Sequence, residues 1–123
     1  MASILAVDDS PSVLKMVEFA LRTRGHEVTT ATDGQAALES LERQRFDLLV
    51  LDINMPRLDG LSLLKLVRER DAWKDTPVLM LTTEGQDSDR DKAIALGATA
   101  YMMKPFRPNE LLDRVSTMVG ETP

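Results

Sequence analysis

Short apolar runs alternate with amphipathic segments along the chain, and this alternation is the feature that most limits how it can fold. Three of the runs, ILAV at 4–7, LLVL at 48–51 and VLML at 78–81, are continuously apolar. Such runs are typical of parallel strands whose two faces are both covered by helices. The segments between them repeat apolar residues at helical spacing. We therefore expect βαβ units built around one parallel sheet.

The pattern predicts five strands and five helices. The predicted strands are Ser3–Val7, Val28–Ala31, Leu48–Asp52, Val78–Thr82 and Ala100–Met103. The predicted helices are Ser12–Arg24, Gly34–Arg43, Leu61–Arg70, Asp87–Leu96 and Asn109–Val119. With right-handed crossovers they give an α/β fold with a small, doubly wound parallel sheet. The second strand is polar and is expected at an edge, and the charged fourth helix is expected to be the least firmly packed.

Length and charge limit the class of protein. A chain of 123 residues can form one core but not two comfortable ones, so we expect a single domain over residues 1–123 with a frayed tail at 120–123. The formal net charge of −5 argues against a nucleic-acid-binding surface. The sequence has no cysteine, no signal-peptide pattern and no apolar stretch of membrane-spanning length. We expect a cytoplasmic monomer that neither binds DNA nor inserts into a membrane.

Four of the predicted strands end in side chains that can bind a phosphate or a cation. Asp8 and Asp9 follow the first strand, Asp52 ends the third, Thr82 ends the fourth and Lys104 follows the fifth. In a doubly wound sheet, ligands bind beyond the carboxyl ends of the strands. We therefore expect these residues to meet in one crevice.

The charges of this group predict a metal site. Two unit charges about 4 Å apart repel by about 4 kcal/mol at an effective dielectric near 20, so the three carboxylates need cations nearby. Lys104 supplies one positive charge, and a hard divalent cation, for which Mg²⁺ is the best fit, would supply the rest. Mg²⁺, a lysine and the Thr82 hydroxyl can each hold one oxygen of a phosphoryl group, and a carboxylate can accept that group covalently.

Each of these residues also has a structural interpretation when it is taken alone. Asp8 and Asp9 could cap the first helix, since aspartate favours helix starts. Thr82 is a common kind of strand-end residue, and an isolated Lys104 would be an ordinary surface lysine. Their coincidence at the strand ends of one sheet favours the functional interpretation.

Two other polar residues are assigned no chemistry. Asp59 precedes a glycine, which indicates a turn and a helix start. His26 is the only histidine and follows Gly25 at the expected end of a helix, so we predict that it is exposed.

Four motifs resemble those of the receiver domains of two-component response regulators, in particular the stand-alone, CheY-like type found in chemotaxis. They are VDD at 7–9, LDINMPRLDG at 51–60, LTT at 81–83 and KPF at 104–106, of which the second is the most specific. The resemblance extends over essentially the whole chain, so we expect no further effector domain. It implies a flavodoxin-like parallel sheet with strand order 2-1-3-4-5. It implies a signalling phosphoacceptor rather than an enzyme, with self-phosphorylation and autodephosphorylation activity.

The resemblance also implies roles in phosphate and metal binding. Asp52 matches the phosphoacceptor. Asp9 and Asp52 match direct Mg²⁺ ligands, together with the backbone carbonyl of Asn54, whereas Asp8 matches a residue that acts through water. Asn54 and Glu84 match the two positions that tune the lifetime of the phosphoryl group.

Further residues match the switch that reads the phosphoryl group. Thr82 matches a hydroxyl that reorients toward it, and Lys104 matches a lysine that pairs with it. Tyr101 matches an aromatic residue that turns inward when the threonine moves. The peptide bond between Lys104 and Pro105 matches one that is usually cis.

The partners follow from the same resemblance. The phosphoryl donor is expected to be a sensor histidine kinase or a histidine phosphotransfer protein, recognised through the first helix and the loop after the fifth strand. The output face is expected on the fourth helix, fifth strand and fifth helix, with a flagellar motor switch protein or a kinase among the candidate partners. A phosphorelay intermediate or phosphate sink remains an alternative, and a Mg²⁺-dependent phosphohydrolase is a remote one.

Overall fold

The computed structural model describes residues 2–55, 58–83 and 87–120. Its strands are β1 (Ser3–Val7), β2 (Glu27–Ala31), β3 (Leu48–Asp52), β4 (Val78–Thr83) and β5 (Ala100–Lys104). They form one parallel sheet in the order β2-β1-β3-β4-β5. The predicted fold class and strand order are confirmed, and β2 lies at an edge as expected. Within the described ranges, no helix combines the length and the apolar character needed to cross a membrane.

The first four helices connect consecutive strands and the fifth follows the last strand. All five agree with the predicted bounds to within one residue at each end. They are α1 (Pro11–Thr23), α2 (Gly34–Arg43), α3 (Gly60–Glu69), α4 (Asp87–Ala95) and α5 (Pro108–Met118). Ser10 is the N-cap of α1, with its hydroxyl accepting a hydrogen bond from the Val13 amide at 3.4 Å. The predicted cap and the proline at the first helical position are confirmed.

The helices cover both faces of the sheet and enclose two cores. Because successive side chains of a strand point to opposite faces, Val50 and Leu51 of β3 belong to different cores. One core lies against α1 and α5, and the other lies against α2, α3 and α4. Among the side chains described for α4, only Ala93 is buried, which agrees with the predicted weak packing of this helix.

The two edge strands are each covered by an arginine from a neighbouring helix. Arg22 of α1 donates to the carbonyl of Val28 in β2 at 3.3 Å, and Arg114 of α5 donates to the carbonyl of Tyr101 in β5 at 3.1 Å. An open strand edge invites pairing with other chains, and a charged side chain on the edge opposes it. These contacts protect both edges of the sheet.

The prediction that His26 is exposed is wrong. Only 5% of its surface is accessible, and its Nδ1 accepts a hydrogen bond from the Ala2 amide at 3.1 Å. The chain after Gly25 turns back, with the His26 amide donating to the Leu21 carbonyl at 3.3 Å. This turn places the imidazole against the start of β1, where it completes the hydrogen bonding of a buried amide.

Gly60 fixes the start of α3 against the end of β3. Its amide donates to the Ile53 carbonyl at 2.9 Å, and a Cβ atom at this position would overlap the carbonyl oxygen of Asp52. Asp59 caps the helix by accepting a hydrogen bond from the Ser62 amide at 2.8 Å, so its predicted helix-start role is confirmed. The backbone that carries Asp52 is therefore held by a contact that only glycine permits.

Replacing Gly60 by alanine should lower the free energy of unfolding by about 1–3 kcal/mol, because the new methyl group can be accommodated only if the backbone at Asp52 moves. Urea denaturation measures this change. Ser62→Ala, on an exposed position of the same helix, is the control and should stay within about 0.5 kcal/mol of the parent. Equal stability of the two variants would contradict the close approach at Gly60.

Candidate functional site

The carboxyl ends of β1, β3 and β5 bring four charged side chains together. One carboxylate oxygen from each of Asp8, Asp9 and Asp52 lies within 4.8 Å of the others. The Lys104 ammonium lies 2.6 Å from Asp8 Oδ2 and 3.3 Å from Asp52 Oδ1. The crevice predicted from the strand ends therefore contains these four residues.

Asp8 is the most buried carboxylate of the group. It is 1% exposed, and while Oδ2 contacts Lys104, its Oδ1 accepts a hydrogen bond from the Ser10 amide at 2.9 Å. The N-cap of α1 is Ser10 rather than either aspartate, so the alternative that Asp8 and Asp9 merely cap this helix is wrong. Asp8 instead connects the start of α1 to a lysine 96 residues away in sequence.

The electrostatics of the site are dominated by burial and excess negative charge. Burial raises the pKa of Asp52 from 3.8 to about 6, the nearby Asp8 carboxylate adds to this effect, and Lys104 opposes it. Burial alone would lower the pKa of Lys104, but its hydrogen bond to Asp8 and the charges of Asp52 and Asp8 outweigh burial, so that pKa is raised. The lysine is thus held in its charged form while Asp52 carries a charge that is only partly balanced.

The donor set fits a hard divalent cation. Three carboxylates around one lysine leave two negative charges in excess, and all the candidate ligand atoms are oxygens. Asp9 is exposed whereas Asp8 and Asp52 are buried, so the group is open to solvent on one side. Mg²⁺ characteristically binds one or two carboxylates and keeps several waters, which such a half-open cluster allows.

Thr82 and Tyr101 lie on the two neighbouring strands β4 and β5. Thr82 is buried, and its hydroxyl donates to the Met102 carbonyl at 3.4 Å, which is long for a hydrogen bond between oxygens. Tyr101 is partly buried, and the Arg90 guanidinium lies over its ring at 5.5 Å from the centroid. Neither side chain has a described contact with Asp52.

Fewer contacts are described for the remaining predicted site residues. Asn54 is exposed in the segment after β3, and the bond between Lys104 and Pro105 is cis as expected. Glu84 lies outside the described residues. The sequence does not predict the close approach of Gly60 to the backbone of Asp52. An aspartate followed by glycine indicates only a turn, and no local pattern signals a contact with β3.

Comparison with known proteins identifies relatives over almost the whole chain. A family model for the response regulator receiver domain matches residues 4–116. The alkaline phosphatase synthesis transcriptional regulatory protein PhoP of Bacillus subtilis is 39% identical over 116 residues, which are 94% of this chain and 48% of that protein. The chain spans about half the length of the curated relatives it matches.

Solved structures show the same similarity. The chemotaxis response regulator CheY4 of Vibrio cholerae is 43% identical with a TM-score of 0.91, over 96% of this chain and 98% of that one. The receiver domain of the sensor histidine kinase PA1611 of Pseudomonas aeruginosa is 33% identical with a TM-score of 0.89, over 98% of both chains. That receiver domain has a magnesium ion coordinated in its active site cleft.

The raised pKa of Asp52 predicts a stability that depends on pH. The pKa of Asp52 is about 6 in the folded protein and 3.8 in the unfolded chain. Between these values the folded protein binds the proton more strongly, so the free energy of unfolding falls as the pH rises. Asp52→Asn should be as stable as the parent near pH 4, and more stable by up to about 3 kcal/mol at pH 7.

Urea denaturation without divalent metal, at several pH values, measures the difference. Glu39→Gln, an exposed acid-to-amide change on α2, is the matched control and should show no such trend. Parallel stability profiles for the parent and Asp52→Asn would contradict the raised pKa.

Proposed function

Because the chain belongs to the response regulator receiver domain family, we propose that it accepts a phosphoryl group on Asp52 and uses it to change a partner-binding face. The observation that carries this proposal is the position of Lys104. Its ammonium is 3.3 Å from Asp52 Oδ1 inside a cluster of three carboxylates. An anionic group attached to Asp52 is therefore within reach of a cation that is already in place.

In this proposal Asp9, Asp52 and the backbone carbonyl of Asn54 hold Mg²⁺ directly, and Asp8 acts through water. The fit rests on the oxygen donors and on the excess negative charge described above. When bound, Mg²⁺ supplies the positive charge that lets an anionic phosphoryl group approach three carboxylates. The magnesium in the related PA1611 receiver domain supports this assignment.

The proposed transfer uses a side chain of Asp52 that is mainly ionised at neutral pH, since its pKa is about 6. One carboxylate oxygen forms a bond to phosphorus while the bond between phosphorus and the donor histidine nitrogen breaks. The electron pair of that bond stays on the imidazole, which takes up a proton from solvent. Lys104 stabilises the charge on the phosphoryl oxygens. The donor is a sensor histidine kinase or a histidine phosphotransfer protein.

Thr82 and Lys104 would read the new group. Lys104 exchanges its contact with Asp8 for the phosphoryl oxygens, and Thr82 gives up its long hydrogen bond to the Met102 carbonyl. The loss of a 3.4 Å bond costs little, so a charged acceptor on Asp52 can compete for this hydroxyl. Movement of Thr82 then frees space for Tyr101, and Asn54 and Glu84 tune how long the group persists.

The output is proposed to be a protein contact made by α4, β5 and α5. We propose that the protein acts in the cytoplasm as a monomeric, CheY-like regulator, and the 43% identity to CheY4 supports this assignment. The net charge of −5 favours a protein target over DNA for these 123 residues. Chemotaxis is one pathway that this arrangement would serve, through a motor switch protein or a kinase as the target.

A phosphorelay intermediate is the second candidate, because related receiver domains belong to sensor histidine kinases. Such a protein would return its phosphoryl group to a histidine phosphotransfer partner without a phosphate-dependent target. Measurement of back-transfer, beside target affinity with and without phosphate, separates the two functions.

Acetyl phosphate with Mg²⁺ should add one phosphoryl group to the protein, as measured by intact mass, and Asp52→Asn should abolish the addition. Asp59→Asn is a matched control, since asparagine caps helices as well as aspartate does and Asp59 lies outside the cluster. The control should be labelled as fully as the parent, and chelation of the metal should prevent labelling of both. Undiminished labelling of Asp52→Asn would remove Asp52 from its proposed role.

A further inference from the structure

Arg68, near the end of α3, joins three segments at the amino-terminal edge of the sheet, opposite Asp52. Its Nε donates to the Gly97 carbonyl at 2.9 Å, in the connection between α4 and β5. Its Nη1 donates to the carbonyls of Lys74 and Thr76, at 3.1 and 2.7 Å, in the connection between α3 and β4. Its Nη2 lies 3.4 Å from the Thr99 hydroxyl. Only the planar guanidinium offers donors in so many fixed directions.

The connection after α4 is shaped around this side chain. Gly97 has a φ of +101°, and a Cβ atom there would lie 3.2 Å from Arg68 Nε and 3.4 Å from two of its carbons. The Thr99 hydroxyl that faces Arg68 also accepts a hydrogen bond from the Val78 amide at 3.0 Å. The Thr99 amide donates to the Val78 carbonyl at 2.9 Å. The end of α4 is thereby tied to the start of β4 as well as to α3.

The fully buried part of α4, among its described side chains, also lies at the carboxyl-terminal end. Its buried side chain among those described is Ala93, and Leu96 and Ala98 just beyond it pack against the core. Ala98 also closes the helix by donating its amide to the Ala93 carbonyl at 2.9 Å. Toward the amino-terminal end, Ser88 is exposed, Asp89 and Arg90 are half-buried, and the Arg90 guanidinium lies over the Tyr101 ring at 5.5 Å from the centroid. Among the described residues, the fully buried side chain of α4 and the hydrogen bonds that join it to α3 and β4 therefore lie at its carboxyl-terminal end.

We propose that Arg68 is a positioning residue that fixes the carboxyl-terminal end of α4. A phosphorylation-dependent movement of α4 then becomes a swing about Gly97 instead of a displacement of the whole helix. This inference rests on the proposed function, in which α4 belongs to the responsive face. By fixing one end of α4, Arg68 would determine which part of the responsive face moves.

Amide hydrogen exchange followed by NMR, with and without beryllofluoride and Mg²⁺, tests this assignment residue by residue. In the parent, beryllofluoride should alter exchange at 88–92 and leave 97–99 nearly unchanged. In Arg68→Lys, which keeps the charge but loses the fork of donors, exchange at 97–99 should rise about tenfold, as expected for loss of a charged hydrogen bond. The response to beryllofluoride should then extend into 97–99.

Arg70→Lys is the matched control. Arg70 also lies at the end of α3, but its guanidinium stacks on Trp73 at 4.8 Å and has no described contact with the α4–β5 connection. This variant should retain the response pattern of the parent. A response in the parent that is as large at 97–99 as at 88–92 would overturn the swing about Gly97 alone. A complete lack of response to beryllofluoride in every variant would overturn the proposed function, and this inference with it.

Discussion

Three carboxylates compete for one lysine at the carboxyl edge of the sheet, and the function proposed for this chain depends on that imbalance. Lys104 is closer to Asp8 than to Asp52, so its charge is shared unequally. Burial and the neighbouring Asp8 raise the pKa of Asp52 to about 6, because both disfavour the ionised form of this carboxyl group. The free energy held in this unbalanced site favours any cation that enters it. The same lysine can then turn to an anionic group on Asp52.

The rest of the fold divides into a rigid support and a less firmly held element. Gly60 locks the backbone of Asp52 to the start of α3, and Ser10 holds Asp8 in place through its amide. Catalytic and binding groups need such support, because small displacements weaken electrostatic contacts steeply. In contrast, α4 buries only Ala93 among its described side chains and is tied through Arg68 at one end. A switch requires an element of this kind, with packings that differ little in free energy.

Much of this arrangement could be predicted from the sequence. Element bounds agreed to within one residue because apolar runs and helical stripes stop at the polar residues that end them. The meeting of Asp8, Asp52 and Lys104 followed from parallel topology alone. The burial of His26 and the contacts of Arg68 did not follow, because both depend on segments distant in sequence folding back onto one another. No local pattern signals such contacts.

A crystal structure with Mg²⁺ and beryllofluoride bound tests the proposed role of Asp52 most directly. We expect an adduct on Asp52, with the Lys104 ammonium moved from Asp8 Oδ2 to a fluoride of the adduct. The Thr82 hydroxyl should then no longer donate to the Met102 carbonyl. An adduct on Asp8 or Asp9 would contradict the proposed role of Asp52. So would an adduct on Asp52 that leaves the Lys104 and Thr82 contacts as they are in the present structure.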